Sequence, residues 1–118
     1  MKENVIKDKS FEFAVKIVNL SRALIKEEKE FVISKQILKS GTSIGANVEE
    51  ADGGISKADF SNKISIAYKE AKETLYWLRL LYKTNLIRDE LFHSLKSDCD
   101  EICKILFSII KTTRINKN

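Results

Sequence analysis

The chain has 118 residues, 43% apolar and 32% charged, which excludes a disordered or membrane-embedded protein and leaves room for one core spanning residues 1–118. It has no proline and four glycines, so the turn supply of a β-sandwich or barrel is missing, as is a glycine-rich phosphate loop. Twenty-one Lys and Arg oppose seventeen Asp and Glu, a net charge of +4 that suits a polyanionic partner without demanding one.

Apolar residues recurring at three and four predict four helices. The first is expected over about 9–26, with Ser10 as N-cap and Phe11, Ala14, Ile17, Val18, Ser21, Leu24 and Ile25 on its buried face. The charged run from Lys26 to Glu30 interrupts that stripe. The second is expected over 31–52, with Ile37, Gly41, Ile44, Val48 and Ala51 inward. Glycine is a poor helix former, but Gly41 and Gly45, one turn apart, let a neighbouring backbone approach closely. Ser40, Ser43, Asn47 and Glu50 form a polar stripe beside them, read as a hydrogen-bond network that fixes helix register.

Gly53-Gly54 stops that helix, and Ser56 with Asp59 three residues on resembles a capping box opening the third, over 57–83. Its core stripe is Phe60, Ile64, Ala67, Ala71, Leu75, Leu78 and Leu81 or Tyr82, and Asn85 ends it. The fourth is expected over 88–113, with acidic residues in its first turn and Lys111 and Arg114 near its end, as the helix dipole favours. Two adjacent apolar stripes, Leu91 to Ile109 and Phe92 to Ile110, give it an arc wider than one bundle core needs. Part of that arc (Phe92 and Phe107), with Trp77 and Leu80, is therefore expected to be an oligomer interface. Short connections between long helices imply an all-α, antiparallel up-down-up-down four-helix bundle.

The residues that could carry chemistry are few. Lys69, Lys72, Tyr76, Arg79 and Lys83 are spaced three and four apart on one helix face, where cations beside an aromatic can neutralise phosphates and stack a base. Glu73 could pair with Lys69, and Lys111, Arg114 and Lys117 could extend the basic surface. No serine has a base in reach by sequence, and His93 with Cys99 and Cys103 fits no common zinc spacing. No catalytic residue, metal or cofactor is expected. Cys99 and Cys103, four apart on one helix, read as reduced thiols, and no run approaches the roughly 20 apolar residues of a membrane span. A cytoplasmic protein is expected.

Ser40-Gly41-Thr42-Ser43-Ile44-Gly45-Ala46-Asn47-Val48-Glu49-Glu50-Ala51 resembles the second-helix signature of the bacterial four helix bundle protein family, also called the 23S rRNA intervening-sequence protein family. The similarity continues through Ser56 to Phe60, Ile66 to Glu73 and Tyr76 to Leu81, and includes Ser10 to Ala14 and Ile105 to Ile110. The chain departs from the family pattern at Gly45, where many members have proline, and at Ala51, where many have glycine. The resemblance implies a left-handed bundle assembling as a ring-like homopentamer, without enzymatic activity and of largely unknown role. A related branch, the accessory variability proteins of diversity-generating retroelements, binds nucleic acid and a reverse transcriptase through a basic surface. Taken with the cationic stripe, this implies RNA or DNA binding. The alternative is a protein-interaction scaffold that binds no nucleic acid.

Overall fold

Four helices fill almost all of residues 2–115, the part of the chain that the computed structural model describes: α1 (Lys2–Glu28), α2 (Val32–Asp52), α3 (Lys57–Lys83) and α4 (Asp89–Ile115). Each packs antiparallel on the next, and α1 closes the ring of contacts against α4. The result is an up-down-up-down four-helix bundle of 50 × 21 × 19 Å. α1 and α3 sit at diagonal corners, and their backbones do not approach each other among the described residues.

The α1–α2 seam depends on the two glycines. A Cβ on Gly41 would lie 2.7 Å from Ile17 Cγ2, and one on Gly45 would lie 3.3 Å from the Ser10 carbonyl oxygen. The absence of side chains there sets how closely the two helices approach. α2 runs unbroken through Gly45 to Ala51, both buried, so neither departure from the family pattern interrupts it.

The ends of α2 and α3 and the start of α4 fall within a residue of the sequence expectation, and α4 runs two residues further, to Ile115. Ser56 caps α3, its Oγ accepting the Asp59 N–H at 3.1 Å. Asn85 stops α3 with φ 63°, and the N–H groups of Asn85 and Leu86 turn back to the Tyr82 and Leu81 carbonyls. This is the glycine position of a helix C-terminus, filled by the residue that best tolerates it after glycine.

α1 departs from expectation. It begins at least seven residues earlier, so Ser10 is not an N-cap; it is buried in mid-helix, its Oγ donating to the Lys7 carbonyl. The inward face carries Ile6, Phe13, Ile17, Leu20 and Leu24, whereas Phe11 is 66% exposed and Ile25 also faces solvent. The stop is Lys29, with φ 54°, and the Glu30 N–H returns to the Leu24 carbonyl. Glu30 then accepts the Ser34 N–H at 2.8 Å, satisfying a donor in the first turn of α2.

Candidate nucleic-acid interface

The five residues of the predicted stripe all lie on the outward face of α3. Lys69, Lys72, Tyr76, Arg79 and Lys83 are exposed, and at 1.5 Å per residue the stripe runs about 21 Å along the helix. The ion-paired carboxylates of the described residues lie elsewhere. Lys7 meets Asp52 at 3.0 Å, Lys9 meets Glu101 at 3.0 Å, and Lys16 meets Asp98 at 2.7 Å along the edges of α1. Lys63 pairs with Glu50 at 2.9 Å. No such ion pair reaches the four stripe cations among the described residues. The anticipated Lys69–Glu73 pair does not form; the Glu73 carboxylate instead accepts Trp77 Nε1–H at 3.1 Å.

The lower half of the stripe borders a groove between α3 and α4. Tyr76, Arg79, Leu80, Tyr82, Lys83, Phe92 and Lys96 line a space of about 380 Å³. The α4 residue Lys96 joins the cations here, held at 2.8 Å by Asp100 on its own helix. It was not singled out from sequence, since it is isolated there and only the antiparallel α3–α4 register brings it beside Lys83. Lys72 leans the other way, close enough to the two cysteines for its charge to favour their thiolates.

The candidate interface residues divide. Phe92 is a correction: at 6% exposure it belongs to the chain's own core, stacked on Tyr82 with centroids 4.1 Å apart and planes 3° from parallel. Cys99, Cys103 and Ile110 are buried as well, so most of the wide arc of α4 is covered by its two neighbours within one subunit, while Leu91 and Phe107 stay exposed. Trp77 and Leu80 are half-buried, and Phe107 is exposed, its ring tilted against Tyr68 and under Lys111. A second exposed apolar surface, one the sequence did not indicate, lies on the outer face of α1: Phe11, Val15 and Ile25, with Phe31 and Val32 beyond its end. The side chain of Arg114 and all of Lys117 lie outside the described residues.

The polar stripe of α2 is a network at only one point. Ser40 is fully buried and its Oγ accepts from Thr74 Oγ1 of α3 at 2.9 Å. Ser43 and Asn47 bond locally, to the Lys39 and Ser43 carbonyls, and Glu50 is exposed in its ion pair with Lys63. Neither serine faces a base, and His93 packs edge-on against Tyr82 and Phe92. Among the described residues no group of three or more His, Cys, Asp or Glu could hold a metal, and no helix is long and apolar enough to cross a membrane. Both cysteines are free thiols.

A family model described as 23S rRNA-intervening sequence protein matches residues 2–108. Among solved structures, a protein of unknown function from the S23 ribosomal protein family of Bacteroides thetaiotaomicron VPI-5482 is 61% identical, with a TM-score of 0.92. That match covers 94% of this chain and 99% of the other. No curated protein is similar enough to match. A match to the model over residues 2–108, with the same bundle in a protein of such high identity, places this chain in the 23S rRNA-intervening sequence protein family.

Proposed function

We propose that this protein is a non-enzymatic, cytoplasmic RNA- or DNA-binding bundle that works as a homo-oligomer. The observation that carries the reading is the outward face of α3, where four cations flank an exposed tyrosine and none is held in an ion pair among the described residues. Phosphate neutralisation by such a face is sequence-independent and salt-sensitive, and copies repeated around a ring would add their modest charges.

Self-association is assigned to the outer face of α1, in addition to the interface candidates Trp77, Leu80 and Phe107 that stay at least partly exposed. Phe11, Val15 and Ile25 form an apolar strip at the corner diagonal to α3, so covering it leaves the cationic face free. A five-fold ring is what the family resemblance implies. Light scattering should give a mass several times 13.5 kDa. A stable monomer would overturn self-association and give the α1 strip to a different protein, which is the scaffold reading.

The test of binding is a gel shift across a salt series with structured RNA, duplex DNA and single strands. Wild type should bind at low salt and release steeply as salt rises. The triple variant Lys72→Glu, Arg79→Glu, Lys83→Glu should keep the oligomer and lose binding. Unchanged affinity in that variant would sink the reading.

A further inference from the structure

The groove below the stripe differs from the rest of the cationic face in what lines it. Its walls are mainly apolar, formed by Leu80, the stacked Tyr82–Phe92 pair and the exposed ring of Tyr76. Tyr76 is 53% exposed, and Trp77 packs edge-to-face against it at 5.0 Å and 74°. Three cations, Arg79, Lys83 and Lys96, are among the described residues that line the groove, and the nearest carboxylates are engaged, Asp89 by the Tyr82 hydroxyl and Asp100 by Lys96. The volume lies in the range of sites that enclose a small planar ligand.

A purely electrostatic phosphate track needs no aromatic wall and no apolar recess. A nucleobase has two apolar faces and travels with a phosphate on either side, which is the pairing of surfaces present here. In a duplex those faces are covered by neighbouring base pairs, so only an unpaired base can enter.

We infer that this groove takes one unpaired base of a single-stranded segment, stacked on Tyr76, with the adjoining phosphates held by Arg79 and Lys83. The inference rests on the nucleic-acid reading above and adds a preference for strands over duplexes. Lys72 and Lys69 continue the track for the phosphates that follow. Lys96, already paired with Asp100, closes the α4 side of the recess.

The experiment measures fluorescence anisotropy of the full-length protein with three probes of one sequence: a labelled single strand, its blunt duplex, and the single strand made abasic. The abasic strand keeps every phosphate and needs no change in the protein. Wild type should prefer the intact strand. Tyr76→Ala should weaken binding to it by about ten-fold and leave the other two probes unchanged. Tyr76→Phe should retain the preference, since the ring face and not the hydroxyl does the stacking. Equal wild-type affinity for all three probes would overturn the groove while leaving the cationic face standing, as would an equal loss on all three in Tyr76→Ala. No binding to any probe at low salt would remove both.

Discussion

Ser40 and Thr74 meet across the α2–α3 seam with their hydroxyl oxygens 2.9 Å apart, both wholly excluded from solvent. Ser40 Oγ lies 3.4 Å from the Ile37 carbonyl, and Thr74 Oγ1 is 2.8 Å from the Glu70 carbonyl. Thr74→Val keeps the shape and removes the donor, so it should destabilise the fold by about 1–2 kcal/mol. Adding Ser40→Ala removes both partners together, and the double variant should cost less than the two single costs summed. Urea unfolding of the four proteins measures the coupling; strict additivity would show that the bond has no role in register.

Gly41→Ala should be costly although alanine is the better helix former. The new methyl would sit 2.7 Å from Ile17 Cγ2 and 2.8 Å from Cγ1, so the α1–α2 seam must open or Ile17 must leave its position. A loss of about 1–3 kcal/mol is expected. Gly53→Ala is the control: its methyl meets only the Glu50 carbonyl oxygen, at 3.9 Å, with φ at −91°. It should be close to neutral in the same thermal melt.

The two left-handed residues predict opposite outcomes for glycine and for a branched side chain. Lys29 and Asn85 hold φ of 54° and 63° at the ends of α1 and α3. Lys29→Gly should stabilise by up to about 1 kcal/mol, since lysine bears a Cβ penalty that glycine lacks. Asn85→Val should lose about 1–2 kcal/mol for the same reason. Chemical denaturation at constant ionic strength reads both.

The thiols should react in a fixed order. Cys99, wholly buried, has its one S–H within reach of the Cys103 sulfur and 3.4 Å from the Ala71 carbonyl. Hydrogen bonding to Cys103 and burial push it upward out of reach of alkylation. Cys103 is drawn below its usual value, first by the Cys99 hydrogen bond and then by the Lys72 charge. Native protein should therefore lose Cys103 first to a thiolate-selective reagent. Lys72→Ala removes a cation that favours the thiolate, so the Cys103 pKa should rise and its rate at a given pH should fall. A rate indifferent to Lys72 would contradict the placement of that lysine.

Helix count, antiparallel order, the ends of α2 and α3 and the start of α4 could be read from residue order because each rests on local chemistry. Ser56 accepts its own first-turn N–H, Asn85 tolerates a left-handed backbone, and Gly41 and Gly45 have no side chain to keep a neighbour away. The cationic stripe was legible for the same reason: a spacing of three and four on one long helix fixes a face without reference to anything else.

Tertiary structure alone decided which of two apolar stripes of α1 faces inward. Phe11, Val15, Val18 and Ile25 satisfy a helical period as well as Phe13, Ile17, Leu20 and Leu24 do. Periodicity has no term for the neighbours, and only the positions of α2 and α4 favour the second set. Phe92 and the cysteines of α4 turned inward because α4 lies between α3 and α1, which together cover a wider arc than one neighbour would. Lys96 reached the groove, and Thr74 reached Ser40, through antiparallel registers that pair residues far apart in the chain. Local order writes the helices; long-range packing decides which of their faces remains for another molecule.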